Sequence, residues 1–301
     1  MKRILLPIFL LPLVAAGCKD DDQSVVYQEL TRSMSIDVAT AGTLPTLISA
    51  DAKDDVLELT LTGRLNGTDI AYLREMAGAD ELGDRTEGTL RRLDLSAAYI
   101  VEGGDPYYRA ANTKYTTENN IIGDHFFDGC KSLVEVVLPT SAVKVGDAAF
   151  NECYLLESVE LTTGVVEIGD DAFRYCHELE SINLPLGLQL VGDRAFAGCY
   201  NLQSIDLPVG MATVGAEAFQ GCTSVTKVSL PQGVQTVGYG AFAGCVALSE
   251  VRCEAVTPPA CQTGAFESVN REVCKLFVPR GSADVYAQAL EWKEFKNIIE
   301  E

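Results

Sequence analysis

From Gly123 onward the order of apolar and polar residues repeats every 23 positions without an insertion. The segments read GDHFFDGCKSLVEVVLPTSAVKV from Gly123, GDAAFNECYLLESVELTTGVVEI from Gly146, GDDAFRYCHELESINLPLGLQLV from Gly169, GDRAFAGCYNLQSIDLPVGMATV from Gly192 and GAEAFQGCTSVTKVSLPQGVQTV from Gly215. A sixth unit opens at Gly238 as GYGAFAGCVALSEV and then diverges. The shared unit is G-x-x-A-F-x-x-C-x-x-L-x-x-[IV]-x-L-P. In its second half Leu202, Ile205 and Leu207 fall on one side, with Ser204 and Asp206 on the other, the pattern of a strand with one buried face. The same columns recur at Leu179, Ile182 and Leu184 and at Val225, Val228 and Leu230.

A unit this short cannot bury its own apolar side, so the units must stack, with neighbouring strands roughly 4.8 Å apart. L-x-x-L-x-L is the strand signature of a leucine-rich repeat. The expected fold is a leucine-rich-repeat solenoid, a right-handed superhelix. Each unit gives one short strand to a parallel β-sheet on the concave face. The A-F-x-x-C piece makes a short helical or 3-10 turn on the convex side, and α-helices are few. Pro185, Pro208 and Pro231 end three strands, because proline cannot donate to the ladder. The glycine that opens each unit is expected at a positive φ or a tight corner. Phe127, Phe150, Phe173, Phe196, Phe219 and Phe242 should form an aromatic column in the core.

The repeats at 123–263 need caps. Residues 36–122 form the N-terminal one, with a strand over 56–61, a helix over 67–76, and a second L-x-x-L-x-L over 90–95. Residues 103–120 are polar, carry Tyr107, Tyr108 and Tyr115, and read as an inserted loop. Residues 264–301 form the C-terminal cap, with a last strand over 275–278 and a helix from Ser282, its N-cap, through Leu290 toward Trp292.

The repeated unit resembles BspA-type leucine-rich repeats. Val278-Pro279-Arg280-Gly281-Ser282, with Tyr286 and the run from Trp292 to Ile298, resembles that family's C-terminal end. Leu65-Asn66-Gly67-Thr68-Asp69 and Gly103-Gly104-Asp105-Pro106-Tyr107-Tyr108 resemble the N-terminal region of its Bacteroidales lipoproteins. The resemblance implies a cell-surface protein used in adhesion to host proteins or other cells, and it brings no catalytic motif. The chain departs from many leucine-rich repeats in having Gly187, Gly210 and Gly233 where Asn or Cys is usual, three residues past the last strand Leu.

The start of the chain sets the expected location. Lys2 and Arg3 precede an apolar stretch from Ile4 to Val14, too short to span a bilayer, and Ala15-Ala16-Gly17 precedes Cys18. Residues 1–17 therefore read as a signal peptide and Cys18 as the lipid attachment site, although Ala15 stands where a lipobox usually has Leu. Residues 18–35 read as anchor and tether. Asp20, Asp21 and Asp22 make that tether acidic, and resemble the surface-export signal of Bacteroidales lipoproteins. The expected location is the outer membrane, lipid-anchored and facing the exterior. Cleavage removes two cations and no acid, taking the formal charge from -20 to -22. Such a chain repels phosphate backbones and anionic lipid, so nucleic acid is excluded as a partner and the membrane is reached only through the anchor.

Chemistry finds little footing. Cys130, Cys153, Cys176, Cys199, Cys222 and Cys245 share one repeat position. They lack the paired spacing of metal ligands, and parallel stacking turns their side chains away from one another, so they read as small buried hydrophobes. Cys253, Cys261 and Cys274 leave a disulfide open in an oxidising compartment. His125 and His177, the two histidines, hold different repeat positions, and neither G-x-S-x-G, H-E-x-x-H nor a phosphate loop is present. No enzyme, cofactor or metal is expected.

The candidate partner-binding residues are the outward ones of the strands: Glu135, Glu160, Asn183, Asp206, Lys227, Glu250 and Arg252, together with Tyr107 and Tyr108 of the polar segment. That strip lacks an aromatic platform and suits a flat, polar, basic protein partner. An adhesin is the first expectation; a glycan-binding accessory lipoprotein of a nutrient-uptake system is the alternative. A surface-coat component is a minor third.

Overall fold

The computed structural model describes residues 32–301. The signal peptide, Cys18 and the acidic run lie outside the described residues. In chain order come β1 (Ser33–Val38), the helix α1 (Leu44–Leu47), β2 (Glu58–Leu65), α2 (Gly67–Met76), β3 (Arg92–Ile100), β4 (Gly103–Ala110) and β5 (Thr113–Thr117). The repeats supply β6 (Ile121–Ile122), β7 (Glu135–Val137), β8 (Lys144–Val145), β9 (Ser158–Glu160), β10 (Glu167–Ile168), β11 (Leu190–Val191), β12 (Ser204–Asp206), β13 (Thr213–Val214), β14 (Lys227–Leu230), β15 (Thr236–Val237), β16 (Glu250–Cys253), β17 (Ala260–Cys261) and β18 (Lys275–Val278). The chain closes with α3 (Ala283–Tyr286) and β19 (Asn297–Glu300).

The fold is a parallel-strand solenoid, as the repeat requires. Its turns carry two strands rather than the expected one. On the concave face β1-β2-β3-β7-β9 and β12-β14-β16-β18-β19 form two parallel sheets. A third sheet, β6-β8-β10-β11-β13-β15-β17, runs along another side. Its strands are two residues long, with Val145, Ile168, Val191, Val214 and Val237 buried. Two residues are too few for an alternation to show in the sequence. The unit from Gly169 gives no concave strand: Ser181–Asn183 is unpaired and Ile182 only half-buried, although Glu180 N–H still reaches Glu157 O (3.4 Å) and Gln203 N–H reaches Glu180 O (3.2 Å).

The convex piece is a hydrogen-bonded turn rather than a helix. Alternate N–H groups of one turn donate to the next: Phe150 to Ala172 O, Phe173 to Ala195 O and Phe196 to Ala218 O, each at 2.7 Å. The opening glycines have no positive φ. Their role is close approach: a Cβ on Gly192 would lie 2.5 Å from Asp170 Oδ1 and 2.7 Å from Asp170 N of the preceding turn. Two left-handed positions come later in each unit: the third residue, filled by His125, Ala148, Asp171, Arg194, Glu217 and Gly240, and the seventh, which is Gly129, Gly198, Gly221 and Gly244 but Glu152 and Tyr175 in two units.

Inside, the phenylalanine column stacks, with centroids 5.2–5.6 Å apart from Phe150 to Phe266. Phe266 thus belongs to the repeat column, inside the segment read as C-terminal cap. The cysteine column is buried and unpaired, as are Cys253, Cys261 and Cys274. From Cys153 to Cys245 each column thiol donates to the phenylalanine carbonyl of the turn before, as Cys153 to Phe127 O, Cys176 to Phe150 O and Cys199 to Phe173 O, all at 3.2 Å, whereas Cys130 faces Arg74 O at 4.0 Å. Position and polarity together explain why cysteine rather than alanine stands here. Burial pushes the Cys130 and Cys245 thiols up to about 12 and makes the column unreactive.

Both ends of the turn ladder are closed by side chains. In later turns Asp147 O and Ala149 O accept from the turn before. The first turn has no such neighbour. Instead Tyr107 OH donates to Asp124 O (2.7 Å), and the fully buried Arg74 donates to His125 O (2.8 Å), Phe126 O (3.2 Å) and Asp128 O (3.0 Å). At the far end Gly264 N–H, which would need a following turn, donates to Glu291 Oε1 (3.0 Å), and Arg271 holds Glu291 at 2.9 Å. A cation with five donors meets orphan carbonyls, and a carboxylate meets an orphan N–H.

The flanks differ from expectation in three places. β1 begins at Ser33, inside the expected tether. The segment over 103–120 is an antiparallel hairpin of β4 and β5, not a loop. The C-terminal helix stops at Tyr286; Ser282 Oγ donates to Pro279 O rather than capping it, and β19 follows to extend the sheet.

Candidate binding face

Strand register sorts the outward residues into two rows on the concave face. One row runs Glu58, Arg92, Glu135, Ser158, then Ser204, Lys227, Glu250, Lys275 and Asn297. The other runs Thr60, Asp94, Val137, Glu160, then Asp206, Ser229, Arg252, Phe277 and Ile299. Glu135, Lys227 and Glu250 therefore share the first row, and Glu160, Asp206 and Arg252 the second. Asn183 lies in the interruption between the two sheets, exposed. The face holds an aromatic ring after all, Phe277, contributed by the cap strand β18.

The charges along this face are unequal. At the N-terminal end Arg92 bridges Glu58 and Glu135, each at 3.0 Å. At the C-terminal end Arg252 meets Glu250 at 3.7 Å and also pairs with Glu301. Between them Glu160 and Asp206 of the second row, and Glu157 and Glu180 at the margin where the chain enters the face, are exposed, and among the described residues no cation lies within 4.0 Å of any of the four. The middle of the face is therefore a stretch of uncompensated negative charge.

The two tyrosine candidates sit elsewhere. Tyr107 is 1% exposed and belongs to the N-terminal closure, where burial pushes its hydroxyl far above the ordinary range; its ring presents no surface. Tyr108 is half-buried, stacked on His125 at 4.7 Å and under Arg74 at 4.8 Å. His125 itself is tied to Asp128 at 2.7 Å. Beside the cysteine column the structure shows a ladder that sequence reading missed: Tyr154, His177 and Tyr200 stack at 4.9 and 4.6 Å. The signal was present, since each follows a column cysteine. The rings lie face to face on one another, so their edges point outward rather than a free face.

Among the described residues no group of three or more His, Cys, Asp and Glu could hold a metal ion, and no helix is long and apolar enough to cross a membrane. The described cavities are shallow and lie on or beside the concave face or against the repeat turns.

The profile of the BspA type leucine rich repeat region matches the chain in six copies, over residues 107–209 and 143–272. The chain belongs to this family. No curated protein matches it. Among solved structures it is similar to a T. pallidum leucine rich repeat protein, 32% identical over 48% of this chain and 70% of that one, with a TM-score of 0.43. A leucine-rich repeat protein from Bacteroides ovatus ATCC 8483 is 28% identical over 56% of this chain, with a TM-score of 0.46. The chain spans only 45% of that protein. A leucine rich cell surface protein from Faecalibacterium prausnitzii A2-165 is 14% identical over 82% of this chain and 79% of that chain, with a TM-score of 0.33.

Proposed function

We propose that this BspA-type protein is a non-catalytic cell-surface binding protein, an adhesin that recognises a protein partner through its concave face. The observation that carries the reading is the unpaired acidic stretch Glu157, Glu160, Glu180 and Asp206, between two ends where Arg92 and Arg252 pair with neighbouring carboxylates. Uncompensated charge on a flat, rigid sheet steers and orients a partner of opposite sign. The partner is accordingly a protein with a basic patch. A solenoid supplies the rigid, extended surface such a contact needs. The outer aromatic ladder offers ring edges, which favours protein contact over sugar stacking. Acylation of Cys18 would hold the protein at the outer face of the outer membrane; labelled fatty acid should enter the wild-type chain but not Cys18→Ser.

The test is binding of the protein to one array of matrix proteins and glycans. A hit among basic proteins that weakens as salt rises supports the reading. A glycan-only pattern overturns it in favour of a nutrient-uptake accessory role.

A further inference from the structure

Arg252 stands near the C-terminal end of the second row, between Ser229 and Phe277. Its guanidinium lies 4.8 Å over the Phe277 ring, and its Nη2 is 3.7 Å from Glu250. The outer fork faces the carboxylate of Glu301, with Nη2 3.4 Å from Oε1. Beside it opens a cavity of about 240 Å³, walled by Arg252, Glu254, Phe277, Val278, Pro279 and Glu301.

We propose that this cavity is a carboxylate subsite for an acidic peptide segment of the protein partner, and that Glu301 occupies it as an internal surrogate. A guanidinium flattened against a ring is held in one plane before any ligand arrives, and its fork matches a carboxylate through two parallel hydrogen bonds. The acid now in place is weakly held. Glu301 is joined to the sheet by its N–H to Val278 O at 3.0 Å, while its side chain stays 45% exposed, and an ion pair that open contributes little. A carboxylate that also fills the apolar wall can therefore displace it as acceptor of the Arg252 N–H groups. Val278, Pro279 and the Phe277 edge give the cavity an apolar wall for the carbon body that carries the carboxylate. Lys275 on the same strand and Lys227 two strands away add positive charge nearby. A carboxylated sugar fits less well, because the Phe277 face it would stack on is covered by Arg252.

This subsite rests on reading the concave face as a binding surface. It lies apart from the acidic middle stretch and takes the opposite sign of ligand, so the two can fail separately. The experiment titrates the intact protein with the peptide acetyl-Ala-Leu-Asp-Glu-Asp-amide, with its Asn/Gln counterpart and with glucuronic acid, following amide NMR shifts. Binding of the acidic peptide alone, with shifts at Phe277 and Val278, supports the subsite. Glu301→Gln should tighten that binding by up to about fivefold, a gain that misfolding cannot imitate, and Arg252→Gln should abolish it. An unchanged affinity in Glu301→Gln overturns the surrogate role. Absence of binding to both proteins overturns the subsite, and binding of glucuronic acid without the peptide overturns the ligand class. In each of those cases the array result for basic proteins stands unaffected.

Discussion

Replacing Arg74 by methionine tests the closure of the solenoid's first turn. Methionine keeps the unbranched apolar stem of the side chain and removes every donor. In the native protein Arg74 reaches Asp80 O (3.0 Å), His125 O (2.8 Å), Phe126 O (3.2 Å) and Asp128 O (3.0 Å) from a fully buried position. Asp80 O and His125 O keep backbone donors in Gly83 N–H (3.2 Å) and Asp128 N–H (3.3 Å), so the substitution leaves two carbonyls, Phe126 O and Asp128 O, without a partner, at about 1–3 kcal/mol each. The net destabilisation is about 2–4 kcal/mol, the two unmade carbonyl bonds being offset in part by the guanidinium desolvation that methionine no longer incurs. Stability in a stacked array is local, so the damage should start at that end. Urea unfolding would give the free energy, and hydrogen exchange its place. Phe127 and Gly129, whose N–H groups bond Ala149 O (2.6 Å) and Asn151 O (2.8 Å), should lose protection while Phe219 keeps it. A loss below about 1 kcal/mol with unchanged protection at Phe127 would refute the closure argument.

Other consequences follow from the same geometry. Gly192→Ala should cost about 2–3 kcal/mol by forcing the Cβ into the Asp170 backbone, whereas Gly187→Ala, whose Cβ meets only Thr163 O at 3.8 Å, should be neutral or slightly stabilising; thermal melts that show equal losses would contradict this. Asp147 sits between Asp124 and Asp170, and burial, followed by those like charges, raises its pKa. The ionised form is thus disfavoured in the folded state, and the stability this group contributes at low pH is lost as pH rises from near 4 through the raised value. Asp147→Asn keeps an oxygen for the Asp170 N–H and should be more stable than wild type at pH 7 and not at pH 3; the reverse order in urea midpoints would refute it. Thiol reagents at pH 8 should leave Cys176 and Cys222 unmodified until urea unfolds the chain, since burial lifts both thiols well above their usual range; mass-spectrometric labelling of the native protein would overturn this.

The sequence carried the columns of this fold but not the way its backbone closes. Leu202, Ile205, Leu207, Phe196 and Cys199 each fill the same place in every turn, and a strict period of 23 makes such columns visible. Val145 and Val191 belong to the third sheet, built from strands of two residues, below the length at which alternation can be read. Arg74 and Glu291 close the turn ladder from 51 and 27 residues away in the chain, and no local pattern announces a contact set by tertiary position. The outward residues were legible because strand register follows directly from the repeat. Tyr107 was not, because a tyrosine in a polar segment looks the same whether its ring caps a core or meets a partner. Phe277 was read as part of a cap strand, and only the register with Arg252 shows that it extends the binding face.

The measurement that bears most directly on the concave face as a binding surface is affinity for a basic protein captured on the array, compared between two variants of equal charge. One carries Glu157→Lys, Glu160→Lys, Glu180→Lys and Asp206→Lys; the other carries Glu217→Lys, Glu267→Lys, Glu272→Lys and Glu294→Lys, all away from that strip. Loss of binding in the first and retention in the second is the predicted result. Equal weakening of both would mean that net charge alone attracts the partner, and would contradict a site on the concave face.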